Sequence, residues 1–133
     1  MGPLLLATLS AGSAASTAVS FPIVVCKLPV SEAPDGPLAS GQLPADYGRG
    51  ASLELVEPDG SAVKLSEGFA SACDPDVSFD GQRILFAGQR RPDDPWNIWE
   101  MAVDGSGLRQ ITHETLDSRQ PIYLSTLYTI TSS

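Results

Sequence analysis

One turn-and-strand phrase occurs twice in this chain, and the interval between its copies constrains the fold more than any other feature. The first copy is Glu57-Pro58-Asp59-Gly60-Ser61-Ala62-Val63-Lys64-Leu65-Ser66, and the second is Ala102-Val103-Asp104-Gly105-Ser106-Gly107-Leu108-Arg109-Gln110-Ile111-Thr112. Asp59 and Asp104 are 45 residues apart, Ser66 and Thr112 are 46 apart, and the second offset also carries Pro75 onto Pro121. Because a β-propeller blade repeats every ~40 to 50 residues, the interval predicts successive blades of a propeller.

The length of the chain limits how much of such a ring it holds. Four blades of ~40 to 45 residues need about 160 residues, whereas the sequence has 133. We therefore expect an all-β fold, a partial β-propeller of about two four-stranded antiparallel blades with an incomplete ring. Either the sequence stops short of the whole protein at Ser133, or association with further blades completes the ring.

Composition along the chain predicts three regions. Residues 1–20 are an apolar leader, residues 21–50 are a strand plus a Pro- and Gly-rich linker, and residues 51–133 are propeller blades. The leader resembles a secretory signal peptide, but the first basic residue is Lys27. The alternatives are export to the periplasm or the extracellular space, a mis-assigned start codon and a disordered leader. The leader is too rich in Ser and Gly to span a bilayer.

Apolar and β-branched runs between Asp-Gly turns predict the strands. Phe21–Leu28 is expected to be a buried strand, and Leu53–Glu57 and Ala62–Leu65 form a hairpin. One full blade spans about residues 75–112, with flanking partial blades; its strands are Asp76–Phe79, Arg83–Ala87, Asn97–Ala102 and Leu108–Ile111. The second of these is apolar on both faces and is expected to be central. A further unit opens at Pro121 and includes Tyr128–Thr131.

The net charge and the two cysteines limit which partners and cofactors the chain is expected to bind. Sixteen acidic residues against eight basic ones give a net charge of −8, which disfavours nucleic acid and anionic membrane surfaces. Cys26 and Cys73 make no zinc pattern and no Cys-x-x-Cys-His haem motif. Two buried thiols and one disulfide in an exported protein both stay open. We predict no cofactor and no metal, and we expect a protein partner or the remaining propeller blades.

The order of the motifs resembles the TolB-type, WD-like β-propeller repeat. The resemblance rests on the segments Asp74–Phe86, Asn97–Met101 and Asp104–Thr112, with Phe79 where that family prefers Pro. The segments Asp74–Gly81 and Arg119–Leu124 also resemble the propellers of large exported bacterial proteins similar to the hydrazine synthase alpha subunit. In that group the propeller is joined to c-type haem modules, but this sequence has no haem motif onto which a redox role can be transferred.

Propeller repeats by themselves support binding rather than chemistry. The predicted function is a non-catalytic protein-interaction or structural scaffold, with no catalytic residues assigned. The alternative is an accessory propeller domain of a larger exported enzyme, either a haem-containing redox complex similar to the hydrazine synthase alpha subunit or a propeller-gated serine peptidase. A third alternative is a pseudogene fragment without activity of its own.

The polar connection between two predicted strands holds the residues expected to contact a partner: Arg90, Arg91, Asp93, Asp94 and Trp96. Trp and Arg are enriched at contact hot spots, and binding groups commonly lie on loops. The alternative is that the Trp packs between blades while the charged groups are solvated.

Two other sets of polar residues are weighed as sites. Asp74, Asp76 and Asp80 crowd one stretch, as in a calcium loop, but their spacing is not that of an EF-hand and turn-forming roles are favoured. His113 is the only histidine and is expected to serve a surface or inter-blade role.

Overall fold

The computed structural model describes residues 20–29 and 47–125, which form seven strands and no helix. The strands are β1 (Ile23–Lys27), β2 (Ser52–Val56), β3 (Ala62–Lys64), β4 (Ser71–Val77), β5 (Arg83–Gln89), β6 (Asn97–Ala102) and β7 (Arg109–Gln110). They form two antiparallel sheets: β1-β2-β3, here called the first blade, and β4-β5-β6-β7, the second blade.

The predicted all-β fold, part of a propeller, is confirmed for the described residues. The predicted leader up to residue 19, linker residues 30–46 and the strand Tyr128–Thr131 lie outside them. Residues 20–29 and 47–125 contain no helix long and apolar enough to cross a membrane.

The two copies of the repeated phrase form the same turn. In the first blade, the N–H of Gly60 donates to the carbonyl of Glu57 at 2.9 Å, and the N–H of Ser61 donates to Asp59 Oδ1 at 2.8 Å. In the second blade the equivalent bonds are both 2.9 Å, and they join Gly105 to Ala102 and Ser106 to Asp104. The turn glycines have φ of 85° and 84°, a left-handed conformation that glycine adopts at little cost. The sequence repeat is therefore a structural repeat.

A side-chain hydroxyl that accepts a strand N–H closes each blade in the same way, an arrangement we call the hydroxyl clasp; Ser66 is buried and Thr112 is half-buried. Ser66 Oγ accepts the N–H of Leu53 at 3.0 Å, and Thr112 Oγ1 accepts the N–H of Ile98 at 2.8 Å. The chain then returns to the start of the middle strand, where the N–H of Ala72 donates to Ala51 and that of Ser118 donates to Trp96. The clasp explains why a hydroxyl residue ends both copies of the phrase.

The first strand of the second blade, β4, has other bounds than predicted. The sequence predicted Asp76–Phe79, but β4 spans Ser71–Val77 and crosses Pro75 through a register shift between Cys73 and Asp76. Asp74, before that proline, has φ of 53°, and Gln120, before Pro121, has φ of 54°. A bulge of this kind admits a proline because it leaves a residue unpaired. The left-handed residue before proline thus recurs 46 residues later.

Two apolar clusters lie on opposite faces of the second blade. The first cluster joins the two blades and consists of Leu53, Leu65, Ala72, Ile84, Phe86 and Met101. The second consists of Ala51, Cys73, Ala87, Trp96 and Ile98, with Cys26 packed against it. Because alternate residues of β5 enter different clusters, the prediction of a central strand is confirmed. The strand predicted at Phe21–Leu28 exists as β1, but the prediction that it is buried is wrong, since only its three middle residues are even half-buried.

Candidate functional site

The predicted contact residues form a hydrogen-bonded loop between β5 and β6, here called the β5–β6 loop (residues 90–96). The N–H of Arg91 donates to Asp94 Oδ2 at 3.0 Å, and the N–H of Asp94 donates back to the Arg91 carbonyl at 3.2 Å. Gln89 Nε2 donates to the Asp94 carbonyl at 2.7 Å. Asp94 therefore holds the loop in one shape, while Arg90, Arg91 and Asp93 are exposed.

Arg90 is fixed on an aromatic surface next to this loop. Its guanidinium carbon lies 4.1 Å from the centre of the Phe69 ring and 4.7 Å from that of Trp99. Arg90 Nη1 also donates to the Gly68 carbonyl at 3.2 Å. Cation–π contacts of this kind stabilise an arginine by ~0.5 to 1 kcal/mol at exposed sites. The guanidinium is thus held in place before any partner arrives.

A small cavity, the loop pocket, lies beside Arg90. Its volume is ≈ 220 Å³, and the residues that line it are Gly88, Arg90, Asp94, Pro95, Asn97, Trp99 and Gln110. Cavities that hold small molecules usually measure about 300 to 1,000 Å³. The loop pocket is therefore of a size for one side chain of a partner rather than for a cofactor.

Trp96 lies away from the exposed part of the loop. It is 7% exposed, and the guanidinium carbon of Arg119 lies 4.2 Å from its ring centre. Its backbone N–H donates to Asp117 Oδ1 at 3.0 Å. In this arrangement Trp96 packs in the second cluster. Contact of the five predicted residues with a partner stays a prediction.

Arg119 organises a polar cluster that the sequence did not predict. Its Nε donates to Asp74 Oδ2 at 3.2 Å, its Nη1 to the Tyr47 carbonyl at 2.8 Å, and its Nη2 to Cys73 Sγ at 2.9 Å. A Cβ on Gly48 would lie 2.7 Å from the same sulfur atom, so only glycine permits this approach. The cluster joins the segment after the second blade to β4.

The environment of Cys73 suppresses its reactivity. Burial, together with the Asp74 carboxylate, raises the pKa of the Cys73 thiol to about 12, although the Arg119 guanidinium acts in the opposite direction. Burial also raises the pKa of Cys26, and both cysteines are free thiols. Since the thiolate is the reactive form of cysteine, this pair has the character of packed structural residues.

Glu100 forms a second unpredicted cluster on β6. It accepts a hydrogen bond from Arg109 Nε at 2.7 Å and one from the Tyr123 hydroxyl at 2.8 Å. Burial acts to raise the pKa of Glu100, but these two hydrogen bonds, together with the positive charges of Arg109 and Arg83, hold the pKa below its ordinary value. The buried carboxylate therefore stays charged and ties the segment that follows the second blade to the sheet.

The three aspartates considered as calcium ligands do not converge. Asp74 pairs with Arg119, Asp76 Oδ2 accepts the N–H of Tyr123 at 2.6 Å, and Asp80 Oδ1 accepts the Ser78 hydroxyl at 2.6 Å. Within residues 20–29 and 47–125, no group of three His, Cys, Asp or Glu residues is placed to hold a metal. His113 is exposed in the segment after the clasp.

Comparison with known proteins supports the resemblance drawn from the repeats. No family model matches the chain. Over 75 residues, 56% of this chain, it is 46% identical to the hydrazine synthase subunit alpha of Kuenenia stuttgartiensis. The solved structure of Kuenenia stuttgartiensis hydrazine synthase matches with a TM-score of 0.54 and 38% identity, again over 56% of this chain.

The match covers 9% of the curated subunit and 10% of the chain in the solved structure, so this chain spans about a tenth of their length. The sequence comparison and the structure comparison find the same protein, and identities of 46% and 38% are well above those expected for unrelated proteins that share only a fold. Over the matched 56% of its length, this chain is homologous to a segment of hydrazine synthase subunit alpha.

Proposed function

We propose that this chain is a TolB-type propeller segment that acts as a non-catalytic interaction scaffold within an exported multi-subunit assembly. The observation that carries the proposal is the homology over 75 residues to a protein named as a subunit. A subunit has protein neighbours, and a blade presents its loops to them while its sheets pack on adjacent blades.

The homology also favours one form of the alternative over the other. An accessory propeller domain of a redox complex similar to hydrazine synthase is supported at the level of the homologous protein, while no observation favours a peptidase. In both the scaffold and the redox-complex form, the described blades bind and position neighbours.

The contact site in this proposal is the β5–β6 loop with the loop pocket. Arg90 is held by two rings, lies beside a cavity of side-chain size and belongs to a residue type enriched at hot spots. An arginine fixed in advance loses little conformational freedom on binding, which favours affinity. A carboxylate of the partner is the natural counterpart of this guanidinium.

The test compares two variants that each remove one positive charge. The tagged 133-residue chain, produced in its native host, is recovered with its partners, and these are quantified by mass spectrometry. Arg90→Met keeps an aliphatic stem over the rings and is expected to reduce recovery of a specific partner by about tenfold or more. Lys64→Met, on the exposed strand β3, is the matched control and should leave recovery unchanged.

The outcomes separate the site from the function. Equal recovery with both variants would overturn the β5–β6 loop as the contact site. Recovery of no specific partner by the unaltered chain would overturn the scaffold function.

A further inference from the structure

A second cavity lies between the two blades, at the opposite end of β5 and β6 from the loop pocket. This inter-blade cavity has a volume of ≈ 480 Å³. Its apolar lining comes from both blades and consists of Pro22, Val24, Leu55, Val77 and Val103. The volume is within the range of about 300 to 1,000 Å³ that is usual for binding cavities.

Besides Gly81, two carboxylates line the cavity next to these apolar residues. Glu57 follows β2 and Asp104 follows β6, so each blade contributes one. Asp104 Oδ1 accepts the N–H of Ser106 at 2.9 Å and its hydroxyl at 2.6 Å. These hydrogen bonds hold the pKa of Asp104 below its usual value, so this carboxylate is negative at neutral pH. An apolar floor with carboxylates beside it is complementary to an aliphatic chain that ends in a cation.

Within residues 20–29 and 47–125, no lysine or arginine lines this cavity. Its eight basic residues are Lys27, Arg49, Lys64, Arg83, Arg90, Arg91, Arg109 and Arg119. None of them is among the residues that line the cavity. Five are occupied elsewhere: Lys27 with Glu54, Arg83 and Arg109 with Glu100, Arg119 with Asp74, and Arg90 with the aromatic rings.

Lysine and arginine are also missing from the sequence of the ranges outside the described residues. Residues 1–19, 30–46 and 126–133 contain no lysine and no arginine. No lysine or arginine of these 133 residues therefore lies in the lining of the inter-blade cavity. The net charge of −8 draws a cationic partner to the surface.

We propose that the inter-blade cavity binds a lysine or arginine side chain of a partner protein. The aliphatic stem lies on the valine and leucine floor, and the cation lies beside Glu57 and Asp104. This inference rests on the proposed interaction function, but it names a second contact at the other end of the blade, with opposite charge from that at Arg90. The second blade thus has the Arg90 cation at one end and, at the other, the Asp104 carboxylate next to Glu57 of the first blade.

Short peptides of defined sequence serve as probes. The ¹⁵N-labelled 133-residue chain is titrated with acetyl-Leu-Lys-Leu-amide and, separately, with acetyl-Leu-Gln-Leu-amide, while backbone amide shifts are followed by NMR. The lysine peptide is expected to shift the amides of Val24, Leu55, Val77 and Val103, and to bind about two- to fivefold more tightly than the glutamine peptide. The difference should shrink in high salt, because exposed ion pairs are screened.

The internal repeat provides a matched control for the acidic residues. Asp59 and Asp104 occupy the same position of the same turn, but only Asp104 lines the cavity. Asp104→Asn keeps an oxygen acceptor for the turn and should weaken the lysine peptide about two- to fivefold. Asp59→Asn makes the same chemical change and should leave the affinity unaltered. Glu57→Gln, with Glu67→Gln on the exposed surface as control, tests the other carboxylate.

Each contrary result overturns the inference in a recognisable way. Equal affinity for the two peptides would mean that the cavity takes any apolar chain and reads no charge. If Asp59→Asn and Asp104→Asn weaken binding of the lysine peptide equally, the net charge of the chain rather than the cavity carboxylate determines the affinity. Either result would leave partner recovery through Arg90 untouched, so failure here differs from failure of the scaffold function.

Discussion

Replacing Ser66 with alanine should destabilise the first blade by leaving a buried amide without an acceptor. Ser66 is 1% exposed, and its Oγ accepts the N–H of Leu53, a residue with no exposed surface. In the variant this N–H loses its partner and cannot reach water. A buried donor left in this way costs about 1 to 3 kcal/mol of the free energy of unfolding. This is a large share of the ~5 to 15 kcal/mol that stabilises an ordinary domain.

Urea unfolding, followed by the fluorescence of Trp96 and Trp99, measures this loss. With a slope of ~1 to 3 kcal/mol per molar urea, the midpoint should fall by roughly 1 M, while the slope stays unchanged. Ser61→Ala is the control, because the backbone N–H of Ser61 keeps its bond to Asp59 and the side chain is exposed. That control should stay within about 0.5 kcal/mol of the unaltered chain.

The second clasp provides an independent repetition of the experiment. Thr112→Val keeps the shape of the side chain but removes the oxygen that accepts the N–H of Ile98. It should cost a similar amount, since the same bond closes the second blade. If neither substitution shifts the midpoint, the hydroxyl clasp does not stabilise the blades. The two hydrogen bonds would then be geometrically equivalent without contributing to stability.

Three further measurements test the core, the thiol and the turns. Phe86→Ala should cost ~3 to 5 kcal/mol in denaturant titration, against about 0.5 kcal/mol or less for the exposed Val63→Ala, and a loss below about 1 kcal/mol would contradict the core position. Cys73, with no exposed surface and a pKa near 12, should react with Ellman's reagent only after unfolding, so rapid reaction in the native chain would contradict its burial. Hydrogen bonds from the serines two residues later lower the pKa of Asp59 and Asp104. Their stabilising contribution is therefore complete above the unfolded pKa of ~3.9 and is lost as pH falls through the folded value. Acid unfolding below about pH 4 should be less steep in the Asp59→Asn, Asp104→Asn double variant, and an unchanged curve would refute this link.

The turns could be predicted from sequence because their stabilising bonds are local. Asp59 and Asp104 each bond a residue two positions later, and glycine supplies the left-handed conformation between them. No tertiary contact is needed to recognise such a turn. The hairpins β2–β3 and β6–β7 follow directly from these turns and were predicted nearly at their observed bounds.

The start of β4 could not be predicted because its strand character comes from its partner. Ser71, Ala72 and Cys73 have little β-forming pattern of their own, but they pair with Gln89, Gly88 and Ala87 of β5. The predicted strand also began only after Pro75, at Asp76, whereas a bulge carries β4 across that proline. Pairing between strands overrides local preference at such positions.

The contact loop was predicted in place but not in detail, for a similar reason. Nothing near Trp96 in sequence shows that Arg119, 23 residues later, lies over its ring. Likewise, Arg90 meets Phe69 only because β5 returns beside the chain that precedes β4. The inter-blade cavity is formed by residues from four separate segments, and no local pattern brings them together.

The positions at which the two copies differ are more informative about function than those at which they agree. The turn aspartates and the clasp hydroxyls recur because each blade needs them to close. At the 46-residue offset, however, Arg119 stands where the preceding unit has Cys73, and these two side chains contact each other at 2.9 Å. At the 45-residue offset, Ala102 stands where the first blade has Glu57, so the cavity between the blades has an acidic group that simple repetition would not provide. A repeat fixes the frame by recurrence, and departures from it give individual blades their own contacts. Arg119 and Glu57 are two such departures. Arg119 joins the segment after the second blade to β4, and Glu57 lies at the cavity between the two blades.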